Sequence, residues 1–303
     1  MQTLRATPAA PAPAAHGEGP VWDADRGELL WVDISAGVVR RGAVGDDGGL
    51  RDTGSFRAGD TVGVAAPATA GGWVAAAGGG FTHVDGDGTA RVLVDLAREG
   101  GSEEAGGTRM NDGACDRAGR FFAGTMAFDQ RPGAGSLYRL DLDGTVAPVL
   151  DGLTVSNGLG WSPDGRTVYL SDSGPGLVHA FAYDPDAGTF SAGRVLLETG
   201  GVDGVADGLT VDDEGCLWTA MWGGGQVRRW SPDGDLLAVV EVGVAHTSSC
   251  AFAGPGRDLL VVSTASGEED EDGAGRLFTV RPGVTGPPAD PYRGPLAGIR
   301  EAV

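Results

Sequence analysis

Six glycine-centred turns recur along the 303 residues at nearly even spacing: Gly27, Gly72, Gly119, Gly165, Gly215 and Gly256 lie 45, 47, 46, 50 and 41 residues apart. Each follows a short apolar stretch and precedes a strand pattern, as in GEGPVWDADRGELLWVD (17–33), NDGACDRAGRFFAGT (111–125), NGLGWSPDGRTVYLSD (157–172) and DGLTVDDEGCLWTAM (207–221). A period of about 40–50 residues suits one four-stranded blade of a propeller. A pair of β-sandwiches does not predict equal spacing. The repeat therefore predicts an all-β chain, a six-bladed β-propeller.

The rest of the sequence agrees with that reading. Segments such as GSLYRLDLDG (135–144) and GQVRRWSPDG (225–234) alternate apolar residues with Asp-Gly turns and read as hairpins. Fifty-five glycines favour many tight turns over long helices. Residues 1–303 are expected to form one propeller domain, with 1–15 an extended lead-in whose first seven residues can supply a closing strand. Trp22, Trp161, Trp218 and Trp230 sit in strand patterns and are expected between blades.

Charge excludes several functions. The formal net charge is −20, and every one of the 22 basic residues is arginine. A nucleic-acid surface needs clustered cations, so no nucleic-acid partner is expected. Without lysine there is neither a P-loop nor a Schiff-base nucleophile. No GxSxG elbow is present. Cys115, Cys216 and Cys250 lack metal or disulfide spacing. His16, His83, His179 and His246 show no paired spacing, so structural roles are expected for them. No signal peptide or membrane span is evident, and a cytoplasmic location away from membranes is the default expectation. The acidic run GEEDEDG (267–273) reads as a solvated loop: its Glu268 start and Thr279 twelfth position do not complete a calcium-binding EF loop.

The repeat also aligns polar residues. Glu18 lies nine residues before Gly27, and Asn111, Asn157, Asp207 and Ser248 each lie eight before their own turn glycine. The second repeat places Val64 there, beside Gly63. The first strand of a propeller blade faces the central channel, so these positions converge on the axis. Glu18, Asn157 and Asp207 would repel one another or strand polar atoms unless a proton or cation intervenes. An all-oxygen set suits a hard divalent ion, and three protein ligands leave coordination positions open for water or substrate. The expectation is a metal site in the central channel.

The stretches GEGPVWD (17–23), RMNDGACDRAGRFFAGTM (109–126), SNGLGWSPDGRTVYLSDS (156–173), DGLTVDDEGCLWTAMWGGGQVRRWSPDG (207–234) and TSSCAF (247–252) resemble the gluconolactonase, regucalcin and luciferin-regenerating enzyme family over about residues 16–295. The resemblance implies a six-bladed propeller that hydrolyses sugar lactones with one divalent ion, whether Ca²⁺, Mg²⁺, Mn²⁺, Zn²⁺ or Fe²⁺. It implies metal ligation by Glu18, Asn157 and Asp207, and substrate contacts from Arg109, Asn111 and Asp129. The chain departs from the family pattern at MAFDQR (126–131) and at Ala206, where a proline commonly precedes the Asp-Gly.

The expected chemistry follows. Lactone hydrolysis passes through an oxyanion, which a metal can stabilise, while Asp207 can serve as general base toward water. Arg109 and Asn111 would hold the ring. Two other readings stay open: an esterase or phosphotriesterase on the same scaffold, and a metal-binding propeller without catalysis.

Overall fold

The computed structural model describes residues 1–9, 12–96, 107–267 and 271–301. The chain opens with two short strands, β1 (Gln2–Arg5) and β2 (Thr7–Pro8). Blade one follows as β3 (Gly17–Asp23), β4 (Glu28–Asp33), β5 (Val38–Val44) and β6 (Leu50–Arg57). Blade two is β7 (Val62–Pro67), β8 (Trp73–Ala77), β9 (Gly80–Val84) and β10 (Ala90–Asp95). Blade three is β11 (Thr108–Cys115), β12 (Phe121–Ala127), β13 (Gly135–Leu140) and β14 (Thr145–Leu153). Blade four is β15 (Ser156–Trp161), β16 (Thr167–Asp172), β17 (Leu177–Asp184) and β18 (Thr189–Glu198). Blade five is β19 (Val205–Val211), β20 (Leu217–Trp222), β21 (Gln226–Trp230) and β22 (Leu236–Glu241). Blade six is β23 (Thr247–Ala253), β24 (Leu259–Thr264) and β25 (Phe278–Val280), with β2 as its outer strand.

This is a six-bladed β-propeller. Antiparallel hairpins build each blade, and the first strands β3, β7, β11, β15, β19 and β23 contact one another in sequence, with β23 returning to β3. Thr7–Pro8 pairs antiparallel with Phe278–Thr279 and completes blade six, as a strand from residues 1–7 was expected to do in part. Gln2–Arg5 instead runs parallel along β22 of blade five. A late strand, β26 (Arg300–Glu301), adds in parallel to the edge of blade three. Among the described residues there is no α-helix, and no helix is long and apolar enough to cross a membrane.

The core lies between blades. Trp22 packs with Trp31 and Leu29 of its own blade against Ala253, Leu259 and Val261 of blade six. Trp218 meets Phe252 edge-on at 6.0 Å across the next boundary, and Trp161 meets Phe122 at 5.5 Å. Such ring pairs bury large apolar area and add directional attraction. Five of the six turn glycines have positive φ. In blade six that conformation falls on Gly254 and Arg257, so the turn there is built differently from the spacing of Gly256.

Candidate functional site

Every inner strand breaks register at the same level. The irregularities fall between Glu18 and Val21, Val62 and Val64, Met110 and Gly113, Ser156 and Leu159, Ala206 and Leu209, and Thr247 and Ser249. A bulge bends the strand and re-aims its side chains. Glu18, Asn111, Asn157, Asp207 and Ser248 all lie in or at the edge of these irregular steps.

The residues after Asn157 and Asp207 are glycines where neighbouring strands approach closely, and Gly63 of the second repeat is another such position. A Cβ on Gly158 would lie 2.2 Å from the Leu209 nitrogen and 2.7 Å from the Asp207 carbonyl oxygen. A Cβ on Gly63 would lie 1.9 Å from the carbonyl oxygen of Asn111. Blade packing thus accounts for the Asn-Gly and Asp-Gly pairs at Asn157 and Asp207.

A cavity of about 190 Å³ opens above these bulges. Its floor carries Glu18, Arg109, Asn111, Asn157 and Asp207. Asn157 Nδ2 donates to Asp207 Oδ1 and, at 3.1 Å, to Ser173 Oγ, while Ser173 Oγ donates to the Ala206 carbonyl at 2.8 Å. Glu18 Oε2 accepts from the Gly19 N–H at 2.7 Å. Arg109 Nη1 donates to Asn111 Oδ1 at 2.7 Å, and Asn111 Nδ2 donates to the Ser156 carbonyl at 2.9 Å.

Not every residue expected at the site reaches it. Asp129 is exposed and pairs with Arg131 at 2.9 Å, away from the cavity lining. Its neighbour Gln130 lines the cavity instead, in a left-handed conformation with φ of 53°. Ser248 is fully buried and donates 2.6 Å to the Gly17 carbonyl, tying blade six to blade one. Part of the loop preceding Arg109, residues 97–106, and Glu268–Asp270 of the acidic run lie outside the described residues.

Other residues join the cavity without having been singled out. Two positions before Glu18, Asn157 and Asp207, His16, Val155 and Val205 line its upper wall, with Trp222, Met126 and Ile34 beside them. That spacing repeats in the sequence and was a readable signal. At the level of that wall, Asp33 accepts from the N–H groups of Ala15 and His16 at 2.9 and 3.2 Å, and Asp172 accepts from Thr154 and Val155 at 3.1 and 2.9 Å. These two buried carboxylates fix the entries to the strands that carry Glu18 and Asn157.

The electrostatics are those of crowded acids. Burial, followed by the charges of Asp207 and Asp112, raises the Glu18 carboxyl well above its usual range. Burial and then the Asp112 charge raise Asp207, against the opposing pull of the Asn157 hydrogen bond and Arg109. Asp112 is pushed up to about 6 by burial, with the Gly113 N–H opposing. Burial and then the Arg109 charge lower His16 to about 4, so its ring is neutral near pH 7.

These residues fit a hard cation. Asn157 Oδ1 is buried with no hydrogen-bond partner, beside two carboxylates whose repulsion a divalent ion would relieve. Among the described residues no three His, Cys, Asp or Glu side chains cluster in metal-holding fashion, so the asparagine oxygen is what completes the oxygen set.

Fold and site together define a propeller of the class that gathers one polar site at the end of its central channel. The chain matches the family model described as SMP-30/Gluconolactonase/LRE-like region over residues 16–266. It belongs to that family. It is 36% identical to the pentonolactonase XacC of Haloferax volcanii over 282 residues, covering 90% of this chain and 92% of that protein. It is 37% identical to regucalcin of Danio rerio over 288 residues, covering 92% and 95%. Among solved structures, a calcium-binding protein, regucalcin, from Agrobacterium tumefaciens superposes with a TM-score of 0.86 at 27% identity, covering 97% of this chain and 99% of that one. The family thus includes members named for lactone hydrolysis and members named for calcium.

Proposed function

We propose that this protein hydrolyses a sugar lactone to the aldonic acid with the help of one divalent ion. The observation that carries the reading is the unpartnered, buried Asn157 Oδ1 in a cavity that Glu18 and Asp207 also line, with the Arg109–Asn111 pair alongside. An ion site alone has no need of that guanidinium. The names of the relatives support the reaction class.

Glu18, Asn157 and Asp207 would hold the ion, which when bound supplies positive charge to a carbonyl oxygen and acidifies water. Arg109 and Asn111 donate hydrogen bonds to the lactone's oxygens and fix the ring. Asp207 accepts a proton from the attacking water as the water oxygen bonds to the carbonyl carbon. The carbon–ring-oxygen bond then breaks, and the proton passes from Asp207 to that oxygen. Gln130 replaces Asp129 as the polar contact from its loop. Residues 1–303 act in this reading as one propeller domain.

The half-buried Trp222 favours a second reading, an aryl ester or phosphotriester, because an aromatic leaving group can rest on an aromatic wall. Ring opening of an aldonolactone panel by metal-stripped protein, with each of Ca²⁺, Mg²⁺, Mn²⁺, Zn²⁺ and Fe²⁺ restored, decides between them when aryl esters and paraoxon-type triesters are run beside it. Ion-dependent turnover of a lactone, lost in Glu18→Ala and Asp207→Ala, supports the proposal. Turnover of aryl substrates alone overturns it, and tight ion binding without turnover points to the non-catalytic reading.

A further inference from the structure

Four residues of the cavity lining come from one structural position. The inner strands pair Gly17 with Asp33, Met110 with Thr125, Ser156 with Asp172 and Ala206 with Met221. The next residue in each case, Ile34, Met126, Ser173 or Trp222, lines the cavity. Of these four only Ser173 carries a hydroxyl, and it stands in the blade that supplies Asn157. Its backbone is held on both sides: the Ser173 N–H donates to the Val155 carbonyl at 3.1 Å, and its carbonyl accepts from the Gly176 N–H at 3.1 Å.

A carboxamide presents an acceptor at one end and a donor at the other, and rotation about its last bond exchanges them. Asn157 serves a cation only with the oxygen end. Ser173 Oγ has one proton, and that proton goes to the Ala206 carbonyl 2.8 Å away, an atom that can only accept. Toward Asn157 the hydroxyl therefore offers lone pairs alone, and it accepts from Nδ2 at 3.1 Å. Turned over, the amide would set Oδ1 against those lone pairs and offer a donor to the cation. The other acceptor for Nδ2 is Asp207 Oδ1, on a residue that would itself hold the ion. Among the described residues Ser173 is thus the one side-chain partner of this amide nitrogen outside the ligand set. We propose that Ser173 is a positioning residue: by giving its proton to Ala206, it fixes the sense of the Asn157 carboxamide and keeps the unpartnered Oδ1 free for the ion. Because that proton lands on the residue before Asp207, one hydroxyl ties together the ligands of blades four and five. The inference rests on the ion reading of the site and is independent of the reaction carried out there.

Calorimetric titration of Ca²⁺ and of Mn²⁺ into metal-stripped protein tests this in a double-mutant cycle. Ser173→Ala should weaken ion binding about 10–100-fold, the usual cost of removing a group that orients a metal ligand. Ser173→Thr keeps the hydroxyl and should stay close to the parent. Asn157→Asp replaces the amide by a carboxylate whose two oxygens are alike, so there is no sense left to fix. In that background Ser173→Ala should change ion affinity little. Thermal midpoints of the ion-free proteins show that each variant is folded. An equal loss in the two backgrounds, an unchanged affinity in Ser173→Ala, or a loss in Ser173→Thr as large as in Ser173→Ala overturns the inference while the ion reading stands. If Asn157→Asp no longer takes the ion, the contrast between Ser173→Ala and Ser173→Thr decides alone. A parent protein that binds neither ion overturns the ion reading and the inference together. Ion binding with the expected coupling, but without lactone turnover in the parent, upholds the role of Ser173 and sinks the lactonase reading.

Discussion

Arg109 Nη1 donates 2.7 Å to Asn111 Oδ1, and Asn111 Nδ2 donates 2.9 Å onward to the carbonyl of Ser156 on the neighbouring blade. The guanidinium is therefore aimed by a residue that also ties two blades together. Removing a charged hydrogen-bond donor costs about 1.5–3 kcal/mol. Arg109→Ala should raise KM about tenfold to hundredfold, with a much smaller change in ion affinity. Steady-state kinetics and calorimetry on one preparation check this. An equal loss in both would place Arg109 at the ion.

The proposed mechanism gives Asp207 two roles, ligand and base. Asp207→Ala should lower kcat by about 10²–10⁴-fold, the usual contribution of a positioned acid or base, and should also abolish the thermal stabilisation by added ion. In the parent protein that stabilisation is about 2.7 kcal/mol at an ion concentration one hundred times Kd. Wild-type turnover in Asp207→Ala would refute the mechanism.

Asp172 holds the strand entry through two backbone N–H groups, so Asp172→Ala strands both. The expected cost is about 1–3 kcal/mol for each, read as a lower denaturation midpoint. Because Asn157 follows two residues after Val155, kcat should fall as well. Stability lost with turnover intact would show that Asp172 serves the fold alone.

Gly158 has no room for a methyl group, since its Cβ would stand 2.2 Å from a backbone nitrogen that cannot rotate away. Gly158→Ala should destabilise by about 3 kcal/mol or more, at or beyond the upper end of overpacking costs. Gly71→Ala meets no atom within 4 Å, but its φ of +106° is strained for alanine, so its smaller loss measures backbone strain without crowding. Urea midpoints of the two variants separate the effects.

Two groups give stability opposite slopes with pH in metal-stripped protein. The folded His16 value of about 4 lies below its ordinary 6.5, so the unfolded chain binds more protons between them and stability falls as pH drops through that window. The folded Asp112 value of about 6 lies above its ordinary 3.8, so the folded chain holds the extra proton and stability falls as pH rises from about 4 to 6. His16→Phe should remove the first slope and Asp112→Asn the second. Denaturation midpoints between pH 4 and 7 check both, and an unchanged profile in either variant contradicts the corresponding assignment.

Blade number and the phase of the floor residues were legible in the sequence because a propeller repeats one backbone path, and equal spacing maps onto equal depth in the channel. Glu18, Asn111, Asn157 and Asp207 line the cavity for that reason. The bulges that aim them leave no compositional mark. Asp129 and Gln130 exchange places because the loop turns through a left-handed residue at Gln130, and that direction is a backbone choice that composition does not encode. His16 and Trp222 reach the wall through strand ends, where a histidine without paired spacing carries no chemical signal until its stacking partner is known.

Blade six is finished by Thr7–Pro8, and Thr7 Oγ1 donates to the carbonyl of Thr279, 272 positions along the chain. Contacts of such long sequence separation form late, after the entropy of a very long loop has been overcome. During synthesis, five blades can emerge from the ribosome while the first nine residues still wait for their partner strand. The Ser248 link that tethers Gly17, next to Glu18, belongs to the same final stretch. A nascent chain cut short before blade six would thus carry every floor residue, from Glu18 to Asp207, with the ring still open.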